Sequence, residues 1–479
     1  MSAETTEKKD DFVFEEEQPV VTKHELKLGS SVLKYTATTG RMPIKNDKGE
    51  IDAQMFYVAY VKSGARDKSK RPVTFVFNGG PGSPSVWLHL GALGPVRVDM
   101  GKDGFMPAAP YKLVDNKHTW LDATDLVFID PVGTGWSRAK NSDVSKKAWS
   151  LDGDIESVGE FIRMWLVRNE RWSSPLFLAG ESYGTTRAAG LAGYLVDHGI
   201  AFNGIVLISA ILQFQTARFV QGNDLPYILF LPTYTAGAWY HGKLDKSFKS
   251  LDDALNKARA FANGEYANAL LQGDRISGKD YDAMVKKVAK FTGLDESYVH
   301  NCNLRVKIQG FCKELLRDEH RTVGRLDNRF KGINKNVLGE EFDHDPSMSG
   351  IMPPYTACYN EYVRGTLGYK TDLPYEIFKG IKEPWNWGSA GEGHPDTSEH
   401  LRKALSKNPH MKVHVASGYY DLATPFFATE HTLAHMGLDP EVEGNFSISE
   451  YESGHMMYIH EPSLRKFKTA CAKFIKDSS

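Results

Sequence analysis

The pentad Gly180-Glu181-Ser182-Tyr183-Gly184 sets a hydroxyl between two glycines. An apolar stretch, 175–179, enters it and a small-residue, helix-prone stretch leaves it. A serine on such a strand-to-helix turn projects its hydroxyl above the end of a sheet, where it can attack an acyl carbon. The flanking glycines give the backbone room for the turn. Because a serine hydroxyl is inert at its own pKa, the chemistry needs a base beside it and an acid to orient that base. A harmless serine in a tight turn is the competing reading, and the partners decide between the two.

On a strand–turn–helix architecture the acid and then the base follow the nucleophile, each just after a late strand. The first late strand, 412–417, runs into Gly418-Tyr419-Tyr420-Asp421. The second, 446–451, runs into Glu452-Ser453-Gly454-His455. Ser182, His455 and Asp421 therefore form a candidate nucleophile, general base and orienting acid. His460 is a weaker competitor for the base. A tetrahedral intermediate also needs two donors for its oxyanion. One is expected from the Tyr183 amide, the other from the glycine-rich loop Phe77-Asn78-Gly79-Gly80-Pro81-Gly82-Ser83. That loop fails as a phosphate cradle, since no Gly-Lys-Ser/Thr follows.

These groups must be held by a scaffold, and the sequence supplies one. The chain has 479 residues, 41% hydrophobic and 25% charged, with a net charge of −2. That is an ordinary globular composition, with no electrostatic signature of nucleic-acid or anionic-membrane binding. Residues 1–20 read as a flexible charged tail and 24–62 as an antiparallel meander. The apolar runs at 73–77, 126–129, 176–179, 205–208 and 412–416 read as strands buried on both faces. Helical patterns separate them, notably 152–170 and 185–198, and a last helix carries Leu464, Phe467, Cys471, Phe474 and Ile475 on one face. Residues 212–394 break this rhythm, with amphipathic patterns near 251–262 and 280–291. The expected organisation is a core of 21–211 and 395–479 and an inserted, mainly helical cap of 212–394. The class is α/β, a doubly wound, mostly parallel sheet with N-terminal antiparallel strands. No stretch approaches a membrane span, and the N-terminal residues lack the apolar core of a signal peptide. Four cysteines make no disulfide framework, which fits a reducing, cytoplasmic compartment.

The blocks Asn78-Gly79-Gly80-Pro81-Gly82, 130–137 (DPVGTGWS), Gly180–Gly184, Asp421 and Gly454-His455-Met456 resemble, in order, those of the serine carboxypeptidase family of α/β-hydrolases. The resemblance covers roughly 75–215 and 410–475 and does not extend to the cap. It implies an α/β-hydrolase fold, a Ser182, Asp421, His455 triad and an oxyanion hole from the Gly80 and Tyr183 amides. It further implies that Asn78, Gly79 and Glu181 hold the carboxylate of a peptide substrate, with Met456 as a further substrate contact. An ionised Glu181 would repel that carboxylate, so it must be protonated when the ligand binds. Two positions depart from the family. Ala92 stands where the family usually has a second acid sharing a proton with the glutamate, which predicts a weaker preference for free carboxylates or a less acidic optimum. Ser83 stands where the family often has a disulfide cysteine.

Other signals are weaker. His431 and His435 lie four apart on a helical pattern, but without the Glu of H-E-x-x-H or a third ligand, so no metal is expected. Gly133-Thr134-Gly135 lacks the third glycine of a dinucleotide loop and reads as a turn beside the site. Trp385 and Trp387 read as packing within the cap. The overall expectation is a serine-type carboxypeptidase acting on peptides through an acyl-enzyme, with an esterase or acyltransferase as the alternative. No cofactor, nucleic acid or membrane partner is expected, and the oligomeric state is open.

Overall fold

The computed structural model describes residues 13–65, 67–339, 341–388 and 394–479. Its centre is a ten-stranded sheet. In chain order the main strands are β1 (Val20–Leu28), β2 (Ser31–Lys45), β3 (Ile51–Lys62), β4 (Val73–Phe77), β5 (Asp125–Ile129), β6 (Leu176–Ser182), β7 (Gly204–Ala210), β8 (Lys412–Gly418) and β9 (Phe446–Tyr451). Their spatial order is β1-β2-β3-β5-β4-β6-β7-β8-β9, and the short Arg138–Ala139 strand pairs with β3. The first three strands and the β3–β5 pair are antiparallel, and from β5 to β9 all pairs are parallel.

Every residue of β4, β5 and β7 is buried, as the continuous apolar runs require. Alternate residues then serve two cores. Phe177 and Ala179 of β6 face a cluster with the last helix, Glu461–Asp477, through Leu464, Phe467 and Ile475. Leu176 and Leu178 face the opposite cluster with α1 (Leu151–Arg168) and α2 (Tyr183–Asp197). Ser150 starts α1 by accepting the Gly153 amide, with Asp152 and Asp154 in the first turn favouring its N-terminal dipole.

Between β7 and β8 lie helices at Leu225–Tyr240, Leu251–Phe261, Gly278–Thr292 and Pro346–Glu361, with shorter ones between them. Ser250 and Ser277 cap the second and third of these by accepting the Asp253 and Asp280 amides. The first three share an apolar core around Phe230, Leu255 and Val288. A two-stranded hairpin, Arg321–Val323 and Lys331–Ile333, also lies here and was not anticipated, because three-residue strands carry too little periodicity.

Two details differ from expectation. Trp385 and Trp387 pack on Tyr183 as well as on each other, and Trp387 also packs on Phe214, so they join the sheet's core to the insertion instead of packing within the insertion alone. Of the expected tail, residues 1–12 lie outside the described residues, while Glu15 to Glu17 are tied down. The Glu15 carbonyl accepts from Gln54 Nε2 at 2.7 Å, and Glu16 and Glu17 pair with Arg168 and Arg41. Among the described residues no helix is long and apolar enough to cross a membrane.

Candidate active site

β6 ends at Ser182 and α2 begins at Tyr183, so the serine sits on the turn between them. Its φ of 60° and ψ of −129° are a conformation that side chains other than glycine rarely adopt. Close approach around the turn maintains it. A Cβ on Gly180 would strike the Gly184 carbonyl, and one on Gly184 would lie 2.9 Å from the Phe77 carbonyl oxygen.

Asp421 follows β8 and is fully buried. Its Oδ1 accepts the Ala423 and Thr424 amides at 2.7 and 3.1 Å. Its Oδ2 accepts the Thr424 hydroxyl at 2.6 Å and lies 2.7 Å from His455 Nδ1. A carboxylate so fixed sets the imidazole tautomer with Nδ1 protonated, leaving Nε2 as the ring nitrogen free for chemistry. Burial works to lower the His455 pKa, but the charge and hydrogen bond of Asp421, aided by Glu181, outweigh it and leave it raised. Ser182, Tyr183 and His455 open on one cavity of about 250 Å³, together with Asn78, Gly79 and Gly80. Met456 lines the same cavity. His460 lies elsewhere, with its Nδ1 2.8 Å from the Ser463 hydroxyl.

The loop after β4 is pressed onto the elbow. A Cβ on Gly79 would collide with the Tyr183 amide nitrogen, and Gly80 has a φ of +107°. Asn78 is held on both sides: its Oδ1 accepts the Leu88 amide at 3.1 Å, and its carbonyl accepts Arg187 Nη1 at 2.7 Å. Arg187 in turn forms a fully buried pair with Asp154, which also accepts the Tyr183 hydroxyl. Asp130, just before Gly133-Thr134-Gly135, braces the loop by accepting the Ser85 amide and hydroxyl.

Asn78 Nδ2 donates to Glu181 Oε1 at 2.9 Å. Glu181 Oε2 and the Tyr458 hydroxyl are buried without a hydrogen-bond partner of good geometry. Burial is the main reason that the Glu181 pKa is raised to about 7; the His455 charge opposes it. Ala92 is buried in an apolar cluster with Tyr355 and Tyr458, and it is the Tyr458 hydroxyl that stands near Glu181. Ser83 accepts a hydrogen bond from Trp87 Nε1, and the four cysteines are all thiols. His431 and His435 stack on each other, and His435 Nδ1 lies 2.7 Å from the His431 carbonyl oxygen.

Several residues of the site escaped the sequence reading. The Thr424 hydroxyl belongs to the Asp421–His455 pair, and the spacing Asp421-x-x-Thr424 was a legible local signal for it. The segment 325–329 gave none. Its Arg325 carbonyl accepts the Leu422 amide at 3.0 Å, its Leu326 carbonyl the His455 amide at 2.7 Å, and Asn328 N donates to the Tyr420 carbonyl at 3.0 Å. Asp327 Oδ2 accepts the Gly454 amide and pairs with Arg329, whose Nη2 also reaches the Ser453 hydroxyl. A stretch of the insertion thus straps both the acid loop and the base loop.

The sequence profile of the serine carboxypeptidase family matches residues 32–461. Serine carboxypeptidase-like 5 of Arabidopsis thaliana is 29% identical over 164 residues, 32% of this chain and 36% of that protein. Serine carboxypeptidase-like 7 of the same plant is 31% identical over 153 residues, 30% of this chain and 33% of that one. The matched stretch thus spans about a third of the length of these relatives. Among solved structures, the prohormone-processing carboxypeptidase Kex1 of Saccharomyces cerevisiae superposes with a TM-score of 0.54 at 15% identity, covering 92% of this chain and 91% of the other. That likeness is one of fold, the α/β-hydrolase fold.

Proposed function

The chain belongs to the serine carboxypeptidase family, and from that premise we propose that it is a serine-type carboxypeptidase releasing C-terminal residues from peptides through an acyl-enzyme. The observation that carries the proposal is the shared cavity: Ser182 and His455 open on it beside the hydrogen-bonded Asn78–Glu181 pair. In this reading His455 Nε2 takes the Ser182 proton as the hydroxyl oxygen attacks the scissile carbonyl carbon. Asp421 stabilises the imidazolium that forms. The oxyanion is met by the Gly80 and Tyr183 amides, the latter at the start of a helix whose dipole favours negative charge. His455 then protonates the leaving amine, the C–N bond breaks, and the Ser182 ester remains. Water, deprotonated by the same histidine, adds to that ester; the bond to Ser182 Oγ then breaks as the histidine returns the proton to it, and the shortened peptide leaves. Protonated Glu181, Asn78 Nδ2 and the Gly79 amide are assigned to the terminal carboxylate of the substrate, with Met456 against its side chain.

Ala92 favours a second reading, an esterase or acyltransferase with the same three residues. Without a second acid beside Glu181, carboxylate recognition is weaker, and the triad accepts any acyl group the cavity admits. The proposal also places the protein in a reducing compartment, the cytoplasm, on the strength of Ser83 and the four thiols. Fluorophosphonate labelling followed by mass spectrometry of peptide digests tests the chemistry. Labelling on Ser182 with a C-terminal ladder, both absent in Ser182→Ala, is the expected result. Turnover of esters with peptides left intact selects the second reading, and an unlabelled Ser182 removes both.

A further inference from the structure

The cavity has two walls of different character. The core side carries the polar groups described above. The side contributed by the insertion is apolar, with Leu326, Met348, Ile351 and Phe378, except for Arg325. Among the described residues, the charge-bearing side chains on the wall are Glu181, His455 and Arg325. Glu181 and His455 each have a partner within the site; Arg325 does not. The residue is exposed, and its guanidinium has no hydrogen-bond or ion-pair partner among the described residues. An unpaired cation at the mouth of an otherwise apolar wall keeps a fork of N–H donors available for an incoming acceptor.

Its backbone is at the same time well fixed. The Arg325 amide donates to Asp345 Oδ1 at 3.2 Å and its carbonyl accepts the Leu422 amide at 3.0 Å. The next residue, Leu326, donates its amide to the Ser347 hydroxyl and takes the His455 amide on its carbonyl. The stem of Arg325 therefore starts from a rigid point one residue from the strap on the base. Its charge is felt at His455, whose pKa it lowers. A guanidinium held this way pairs with an anion able to take two parallel N–H bonds, and the anion that a peptide substrate supplies is a carboxylate.

We propose that Arg325 is a specificity-determining residue that binds a carboxylate of the substrate, so that the enzyme selects acyl substrates bearing an anionic group on the side of the cavity formed by the insertion. The proposal rests on the hydrolase reading of Ser182 and deepens it by naming a substrate class. Because Asn78, Gly79 and Glu181 are assigned to the terminal carboxylate, the group left for Arg325 is an acidic side chain within one or two residues of the scissile bond. With Glu181 protonated and His455 neutral, Arg325 is the one full charge among the described residues of the wall, and an acidic side chain is attracted to it.

The test uses the full-length protein and three variants, Arg325→Met, Arg325→Lys and Arg325→Glu. Substrates are N-blocked tripeptides with a free or amidated terminus, each with glutamate or glutamine before the last residue. Binding of the same peptides to Ser182→Ala and to Ser182→Ala/Arg325→Met is measured by calorimetry, which needs no turnover. The expected result is a carboxylate-over-neutral preference that Arg325→Met reduces by about 10- to 100-fold, carried in KM and not kcat, as for loss of one charge-assisted pair. Arg325→Lys keeps part of the preference and Arg325→Glu reverses it. The glutamine exchange is expected to abolish the preference that Arg325→Met removes, and a preference lost on amidation but not on the glutamine exchange overturns the assignment. Equal losses for charged and neutral peptides in Arg325→Met, or no change in the calorimetric preference, overturn the proposal. Absence of Ser182-dependent hydrolysis with the calorimetric preference intact overturns the peptidase reading alone.

Discussion

Replacing Glu181 by glutamine separates two limbs of the pH profile that the structure places close together. With its pKa raised to about 7, Glu181 carries a proton below that pH and a charge above it. Only the protonated form can donate to a substrate carboxylate, so kcat/KM for a peptide with a free terminus falls about tenfold per pH unit above 7. His455 must be neutral to act as base, and its pKa is raised, so activity also falls on the acid side. The wild-type profile is a bell centred near neutrality. The groups are also coupled, since ionised Glu181 contributes to the raised His455 pKa. In Glu181→Gln the alkaline limb disappears and the acid limb moves to lower pH. Wild-type enzyme on an amidated peptide or a neutral ester lacks the alkaline limb as well.

The same shift has a counterpart in folding. The pKa rises from 4.5 to about 7 because the charged carboxyl is desolvated in the native state. At about 1.4 kcal/mol per pH unit this is about 3 kcal/mol. The native state binds the proton more tightly than the unfolded one, so the contribution is fully present below 4.5 and is lost as pH rises through 7. Glutamine has no proton to lose. Urea unfolding should therefore show the variant gaining about 3 kcal/mol on the wild type between pH 4 and pH 8. Superimposable alkaline limbs for wild type and variant, or a stability difference that does not change with pH, would refute the reasoning.

Two further substitutions test how the site is held. Gly79→Ala puts a Cβ against the Tyr183 amide, which is both backbone and proposed oxyanion donor; a stability loss of about 1–3 kcal/mol by thermal melt and a kcat loss of about 100-fold are expected. Asp327→Ala leaves Arg329 buried and unpaired, at a cost of about 3–5 kcal/mol in urea unfolding. The apolar pair Asp327→Leu/Arg329→Met should recover most of that stability without recovering kcat, because the Gly454 amide next to His455 still lacks its acceptor. Full recovery of kcat would show that the strap serves stability alone.

What was legible in the sequence was whatever a few consecutive residues decide. The elbow at 180–184 shows itself as a glycine-flanked serine within five residues, and the buried strands write themselves as apolar runs. Asp421 and His455 could be found because the order of strands ties each to a position in the chain. The segment 325–329 could not, because its work is done by main-chain carbonyls and by Asp327, which meet the site only after the insertion folds back over β8 and β9. Glu15 to Glu17 looked like tail for the same reason: their partners Gln54, Arg41 and Arg168 come from distant strands and a helix. Trp385 and Trp387 were placed by sequence within the insertion, while they also reach Tyr183 of the core.

The strap divides its labour in a way that bears on how selectivity can change. Arg325 and Leu326 hold Leu422 and His455 through backbone carbonyls, which every residue possesses. Their side chains are left to line the cavity. Asp327 holds Gly454 with its side chain, and Arg329 holds Ser453 with its own. Substitutions at 325 and 326 can therefore alter what the cavity admits while His455 stays anchored, whereas substitutions at 327 and 329 disturb the base directly. The strap thus has two functions in the proposed reading: the side chains of Arg325 and Leu326 face the substrate, while their carbonyls and the side chains of Asp327 and Arg329 complete the catalytic frame. Exchanging the whole insertion for one of another sequence should cost activity on every substrate unless an acceptor for the Gly454 amide is kept, and restoring that acceptor alone should return turnover without returning the original preference.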